Sequence, residues 1–145
     1  MTRRFELASE LPASRDRAWE VFAATQHWHE WSAFVPRVEG DLFAGETLRL
    51  TLRGLGGVDL IVYPAIISIE PPSQVVLEMS LGARGLVHMV HAFEFEPIAD
   101  DRSRLVQRWD ATGRLVWPLW PVLTRMMGRF RAFNDDLARR LSQRP

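Results

Sequence analysis

Residues 104–142 read RLVQRWDATGRLVWPLWPVLTRMMGRFRAFNDDLARRLS, and a change of hydrophobic period inside this stretch decides the fold. Up to residue 111 the pattern alternates as in a half-buried strand, and one face carries Leu105, Gln107, Trp109 and Ala111. After Gly113, apolar residues recur every three to four positions, at Leu119, Val122 or Leu123, Met126, Phe130, Phe133, Leu137 and Leu141. The stretch predicts a strand followed by a long amphipathic helix over about 119–142.

The alternating period recurs upstream, in segments separated by glycines and prolines. It predicts strands at 4–11, 48–53, 58–70, 75–81, 87–96 and 104–111. Between the first two strands, Ser14 is placed to cap a helix over 15–23, and a second short helix is expected over 26–31. Consecutive strands joined by tight turns pair antiparallel, so we expect one antiparallel sheet.

The order of these elements predicts an α+β fold. One face of the sheet must be covered, and the C-terminal helix is the only predicted element long enough to cover it. The chain has 145 residues and a mass of 16.7 kDa, which is the size of one domain. We therefore expect a single domain, 1–145, with about six to seven strands packed on the last helix.

The composition excludes several classes of function. The 18 basic residues balance 18 acidic ones, whereas a general nucleic-acid binder usually has a basic excess. Every basic residue is arginine, so chemistry that depends on lysine, such as Schiff-base formation, is excluded. The chain has no cysteine, which excludes disulfides and thiolate chemistry.

The expected location is the cytoplasm. The N-terminal residues MTRRFE lead into an alternating pattern and not into the apolar run of a signal peptide. No stretch reaches the roughly 18 apolar residues of a membrane span, so we expect no integral membrane association.

Short motifs in a fixed order carry a resemblance to a known family. They are LPASRDRAW at 11–19, the pattern W..F.P.V.G.L..G from Trp31 to Gly45, IEPP at 69–72, HAFEFEP at 91–97 and FNDDL at 133–137. The chain resembles the START-like, or SRPBCC, superfamily, and within it the branch labelled polyketide cyclase/dehydrase or lipid transport. The resemblance implies a helix-grip fold, in which a curved sheet wraps around the last helix and leaves a ligand cavity. Members include carriers, hormone receptors, cyclases and hydroxylase domains, so the resemblance implies the fold more than the function.

We expect the inward faces of the strands and the last helix to enclose an apolar pocket. A strongly curved sheet around one helix is hard to fill with side chains, and apolar voids bind apolar ligands. The predicted lining is Leu50, Leu60, Leu77, Met79, Met89, His91, Phe93, Trp109, Met126, Met127 and Phe130. The leading hypothesis is a carrier of a hydrophobic small molecule, such as a lipid, polyketide or aromatic compound, that needs no cofactor.

His91 is the one weak candidate for catalysis. It shares a strand face with Met89 and Phe93 and should point inward, where it could assist enolisation or dehydration of a ketone. A structural histidine, bonded within the sheet or tied to the last helix, is the more frequent role, because no partner base or nucleophile is visible. Two alternatives stay open: an enzyme of the polyketide cyclase/dehydrase type, and a protein-interaction domain of the same fold.

The four histidines do not predict a metal site. His27 and His29 are two residues apart on a short helix, so they do not face each other. His88 and His91 are three residues apart on a strand and point to opposite faces. We therefore expect no metal.

Trp117 and Trp120 belong to a cluster of aromatic residues and prolines where the last helix begins. They suit a cavity entrance, where they would also be able to touch a membrane, and they equally suit a plug at one end of the core. Both interpretations stay open. The identity of the ligand and the oligomeric state do not follow from the sequence.

Overall fold

A computed structural model of the chain describes residues 2–83 and 85–143. The strands are β1 (Arg3–Leu11), β2 (Arg37–Glu39), β3 (Arg49–Arg53), β4 (Asp59–Val62), β5 (Ala65–Glu70), β6 (Gln74–Leu81), β7 (Val87–Ala99) and β8 (Arg102–Thr112). The helices are α1 (Arg15–Ala23), α2 (Val116–Gly128) and α3 (Phe130–Ser142), with short 3-10 helices at Thr25–Glu30 and Leu55–Gly57. This order confirms the predicted α+β fold.

The larger sheet is antiparallel and has the strand order β1-β8-β7-β6-β5. Its register places Leu7 opposite Gln107 and His91 opposite Trp109. Opposed residues in an antiparallel pair project from the same face of the sheet. All four residues are buried, so this face is the one that α2 and α3 cover.

The predicted strand over 58–70 was wrong, because it is two strands in different sheets. β4 belongs to a three-stranded sheet with the order β2-β3-β4, whereas β5 is at the edge of the larger sheet. The break falls at Tyr63 and Pro64, where proline has no N–H to donate to a sheet. An isolated bridge between Thr47 and Ala65 connects the two sheets. The described residues thus form eight strands in two sheets, where a single sheet of six to seven was expected.

The first helix confirms the sequence prediction in both bounds and cap. The Oγ atom of Ser14 accepts a hydrogen bond from the Arg17 N–H at 3.2 Å. The short helix that follows is a 3-10 helix and begins one residue earlier than predicted, at Thr25. Its Trp28 indole Nε1 donates to the Phe22 carbonyl at 2.7 Å, which fixes the two helices against each other.

The C-terminal helix begins at Val116, three residues before the predicted start, and is interrupted once, at Arg129. There the Arg129 N–H bonds to the Met126 carbonyl at 3.2 Å, a spacing of three residues that tightens the turn. An interruption of one residue leaves the spacing of apolar side chains unchanged, so the sequence pattern does not reveal it. Among the described residues, no helix has both the length and the apolar character needed to cross a membrane.

Aromatic rings fill the space between α1, β7 and α3. The ring centroid of Phe22 lies 5.0 Å from those of Phe93 and Phe95, and 6.3 Å from that of Phe133. Buried aromatic area of this kind is a dominant source of stability. The cluster closes one part of the interior and leaves the region beside the α2–α3 junction less completely filled.

Candidate functional site

Two adjoining cavities lie between the strands and the junction of α2 with α3. The centre of a water-sized sphere can occupy about 50 Å³ in the outer cavity and about 20 Å³ in the inner one. The walls of both share four side chains, namely Leu52, Val62, Met79 and Phe130. One water needs about 10–15 Å³ by this measure, so this conformation has room for a few waters and not for a large ligand.

The outer cavity has apolar walls with two arginines beside them. Its other wall residues are Phe34, Arg53, Gly54, Leu60, Leu81, Met89, Trp109, Met126, Met127 and Arg129. The Nη1 atom of Arg53 lies 3.2 Å from the Oδ1 atom of Asp59. The guanidinium of Arg129 lies 5.8 Å from the ring centroid of Phe34. Asp59 neutralises Arg53, and Arg129 places a positive charge next to a cavity that is otherwise apolar.

The inner cavity is almost entirely apolar. Its other wall residues are Phe22, Trp28, Leu42, Leu48, Leu50, Val75, Leu77, His91 and Phe93. Of these side chains, only Trp28 and His91 carry polar atoms. The indole N–H of Trp28 is already bonded to the Phe22 carbonyl. His91 therefore supplies the one titratable group on this wall.

All eleven side chains that the sequence predicted as pocket lining lie on the walls of these two cavities. The outer wall includes Leu60, Met89, Trp109, Met126 and Met127. The inner wall includes Leu50, Leu77, His91 and Phe93. Met79 and Phe130 belong to both walls. That these residues bind a ligand stays a prediction.

The cavity walls include further residues that were not predicted from the sequence, for two reasons. Phe34 lies in the irregular segment before β2, where no period predicts which way a side chain faces. Phe22 and Trp28 lie on the short helices, whereas the pocket was expected between the strands and the last helix. Leu52 and Val62 continue the alternation of the predicted residues, so a signal for them was present in the sequence.

The imidazole of His91 is held between aromatic rings. It stacks on the indole of Trp109, with ring centroids 4.2 Å apart and planes 22° apart. The ring of Phe93 lies 4.3 Å away, and Phe130 of α3 presents its edge at 5.1 Å. The side chain is buried as the alternation of β7 predicted. These contacts fix the orientation of the ring and remove it from water.

A chain of hydrogen bonds runs from His91 through the sheet to α3. The Nε2 atom of His91 lies 2.8 Å from the Oε1 atom of Gln107, and the Gln107 Nε2 donates to the Asn134 Oδ1 at 2.5 Å. The Asn134 Nδ2 then donates to the Ser9 Oγ at 3.1 Å. An amide oxygen only accepts, so the ring proton of neutral His91 is on Nε2. His91 is therefore bonded within the sheet, and Gln107 extends the hydrogen-bond chain to α3.

The remaining nitrogen of His91 is an acceptor with no hydrogen-bond partner among the described residues. Burial lowers the pKa of His91 to about 3, and the hydrogen bond to Gln107 offsets part of this shift. The imidazole is therefore neutral near pH 7. With its Nε2–H committed to Gln107, the ring offers a fixed, uncharged acceptor at Nδ1. A catalytic role for it stays a prediction.

Trp117 and Trp120 lie away from the walls of both cavities. Trp117 is 71% exposed and does not plug the core, whereas Trp120 is partly buried and packs against the core. The Arg3 guanidinium lies 4.7 Å from the ring centroid of Trp117 and 4.8 Å from that of Trp120. A role for the two residues at a cavity entrance stays a prediction.

Two histidines outside the core, His27 and His88, contact neighbouring side chains. The Nδ1 atom of His27 lies 2.6 Å from the Glu30 Oε2, and that of His88 lies 3.2 Å from the Ser80 Oγ. Within the described ranges, no group of three or more histidine or acidic side chains is placed to hold a metal ion. That the protein needs neither metal nor cofactor stays a prediction.

A family model described as polyketide cyclase/dehydrase and lipid transport matches residues 2–142. The chain belongs to this family. The match covers both sheets and the C-terminal helices, and it confirms the START-like resemblance found in the motifs. The family description covers enzymes as well as lipid carriers, so membership alone does not decide between them. No curated protein matches the chain in the corresponding comparison.

Solved structures of other proteins share the fold of this chain over nearly their whole length. The Zhui aromatase/cyclase from a Streptomyces species has a TM-score of 0.79 at 17% identity, covering 97% of this chain and 94% of that chain. Norcoclaurine synthase from Thalictrum flavum also gives 0.79 at 17% identity, covering 100% and 96%. A START superfamily protein from Mycobacterium smegmatis gives 0.72 at 18% identity, covering 97% of both chains. At these identities the likeness shows the fold alone.

Proposed function

We propose that the protein binds and carries a hydrophobic small molecule in the space now divided between the inner and outer cavities. The observation that supports this most is the pair of adjoining apolar cavities beside the α2–α3 junction. Empty apolar volume is unfavourable for a core, since its lining loses van der Waals contacts. An apolar ligand restores those contacts, and the expected ligands are a lipid, a polyketide or an aromatic compound.

Binding requires the two cavities to merge. Ligand pockets are typically about 300–1,000 Å³, far more than either cavity offers here. Met79 is one of the four side chains shared by both walls, and methionine has three flexible torsions that allow it to change position without strain. Rotation of Met79, together with Met126 and Met127 on the outer wall, opens a continuous apolar space.

His91, the titratable side chain of the inner wall, suggests a second property of the ligand. The unpartnered Nδ1 atom of His91 accepts a hydrogen bond and does not donate one. A ligand that carries a single hydroxyl or amine donor satisfies it, whereas a carboxylate near His91 would be desolvated without a donor. We therefore expect an apolar, uncharged group at the inner end of the ligand.

Catalysis of the cyclase/dehydrase type is the second candidate. An imidazole fixed by one hydrogen bond, with its other nitrogen free, has the arrangement of a general base. Burial lowers the pKa of His91 to about 3, so the imidazole is a weak base near pH 7. An efficient general base usually has a pKa close to the pH at which the enzyme works. This shift favours a carrier over an enzyme.

Two measurements test the carrier function. Native mass spectrometry of freshly purified protein detects a co-purifying ligand, and titration with the neutral fluorescent probe N-phenyl-1-naphthylamine detects an apolar site. A carrier keeps most of its affinity for the probe in the variant His91→Ala. An enzyme that uses His91 binds its substrate in that variant and loses turnover. Failure of the wild type to bind any of a broad panel of lipids and aromatics contradicts the proposal and favours a protein-interaction domain.

A further inference from the structure

The first half of α2 carries an exposed apolar surface that the cavities do not explain. Leu115 at its N-cap is 38% exposed, Trp117 71%, Leu119 38% and Val122 47%. Pro118 and Pro121 lie between them and are exposed as well. These six residues, 115, 117–119 and 121–122, are called the α2 surface below.

This helix is apolar on both sides, which is unusual for a helix at a protein surface. Its inner side packs into the core through Val116, Leu123 and Met127. An ordinary surface helix has charged residues opposite such a stripe, and a helix that is apolar all round is normally covered on every side. The α2 surface therefore has the chemistry of a contact face.

The charged residues in the stretch of sequence that contains α2 all have one sign. Residues 111–134 contain four arginines and no acidic residue, in a chain whose net charge is zero. Arg114 and Arg125, which flank the surface, are exposed, and Arg3 lies over the rings of Trp117 and Trp120. Within residues 2–83 and 85–143, none of these three guanidinium groups has a carboxylate within ion-pair distance.

A second exposed apolar group, at Val58, Ile61 and Tyr63, differs in this respect. The nearby Arg53 pairs with Asp59 at 3.2 Å, and Arg49 of the adjacent strand pairs with Glu39 at the same distance. Positive charge is therefore neutralised near β4 and left available near α2. Exposure alone does not distinguish the two surfaces, but charge does.

We propose that the α2 surface docks the protein on an anionic membrane. Tryptophan and aliphatic side chains insert at the boundary between headgroups and acyl chains, while arginines around them pair with lipid phosphates. The partner is therefore a bilayer containing acidic lipids, and the contact is peripheral. The same helix carries Met126 and Met127 on the outer cavity wall, so docking brings that wall close to the membrane.

Co-sedimentation with vesicles tests this directly. We expect binding to vesicles of phosphatidylcholine mixed with phosphatidylglycerol, and at least about tenfold weaker binding to phosphatidylcholine alone. Raising the salt concentration should weaken binding, since it screens the arginines. The paired variant Trp117→Ser, Leu119→Ser should bind at least about tenfold less, because it removes buried apolar area at the membrane. The control Tyr63→Ser removes an aromatic ring near β4 that is 61% exposed, against 71% for Trp117, and should bind as the wild type does.

The arginines are tested separately from the apolar residues. The double variant Arg114→Gln, Arg125→Gln should lose about fivefold in vesicle binding for each charge removed, and circular dichroism should show it folded. Equal binding to neutral and acidic vesicles, or no binding to either, overturns the proposal. So does a wild type that self-associates through the α2 surface, shown by a dimer in analytical ultracentrifugation that Trp117→Ser abolishes while vesicle binding stays unchanged.

Discussion

The Nε2 atom of His91 lies 2.8 Å from the Oε1 atom of Gln107, at a position where both side chains are buried. This hydrogen bond fixes the tautomer of the imidazole, so that Nδ1 is the acceptor nitrogen of a side chain that lines an apolar cavity. It also begins the chain that reaches Asn134 of α3, so the polar group at the site is tied to the element that covers the sheet. Three of the predictions below follow from this arrangement.

The tautomer of His91 is the first prediction. The ring should carry its proton on Nε2 and should stay neutral from pH 7 to about pH 5, because burial lowers its pKa well below the ordinary value of about 6.5. Long-range proton–nitrogen correlation spectra distinguish Nε2–H from Nδ1–H. A ring that takes up a proton as the pH falls through about 6.5 contradicts the prediction.

The pH dependence of stability is the second prediction. Below about pH 6.5 the unfolded chain protonates His91 while the folded chain does not, down to a pKa of about 3. The free energy of unfolding should therefore fall as the pH is lowered through this window, with His91 contributing up to about 1.4 kcal/mol per pH unit. Urea unfolding of the wild type and of His91→Gln, measured from pH 7 to about pH 4, should give a shallower dependence for the variant. Parallel curves for the two proteins would show that His91 does not titrate in this way.

The hydrogen-bond chain is the third prediction. Gln107→Leu leaves the Nε2–H of His91 and the Oδ1 of Asn134 without their partner, and each stranded group should lower the free energy of unfolding by about 1–3 kcal/mol. Asn134→Leu breaks the same chain from the other end. The double variant should therefore lose less free energy of unfolding than the two single variants lose together, and the difference should be about 0.5–3 kcal/mol. Strict additivity would mean that Gln107 and Asn134 do not act as one unit.

The inward faces of the strands were predictable from the sequence, because a period of two fixes which side chains share a face. The four inward residues of β8 and the leucines at 48, 50 and 52 are all buried, as the alternation predicted. The side chains expected to line a pocket followed from those same faces. The prediction failed at Tyr63 and Pro64, where the chain leaves one sheet for the other without losing its apolar character.

The hydrogen-bond chain was not predicted, since it joins residues that only the tertiary structure brings together. Its members come from β1, β7, β8 and α3, and their contact depends on strand order and on the rotation of α3 against the sheet. A signal was nevertheless present. Gln107 and Asn134 are the amide side chains on otherwise apolar faces, and a buried amide needs a partner.

The division of the interior into two small cavities could not be predicted from the sequence either. Cavity volume depends on the rotamers of Met79 and Phe130 and on the distance between helix and sheet, and a shift below one ångström decides whether a void opens. The sequence predicted which side chains line the space but not how much of it is empty.

The proposed function requires that the cavities beside the α2–α3 junction bind a hydrophobic ligand, and a larger side chain at position 126 tests this. Met126→Trp adds an aromatic ring to the outer wall, at an expected destabilisation of about 1–3 kcal/mol if the protein packs tightly around it. The control Arg125→Trp adds the same ring at the neighbouring position, which is exposed and off the wall.

The deciding measurement is the titration of N-phenyl-1-naphthylamine into the wild type and both variants, with folding checked by circular dichroism. We expect the wild type and Arg125→Trp to bind the probe with similar affinity, and folded Met126→Trp to bind it at least about tenfold more weakly, because the added ring occupies the space for the ligand. Equal binding by all three folded proteins would contradict the claim that the ligand lies in these cavities.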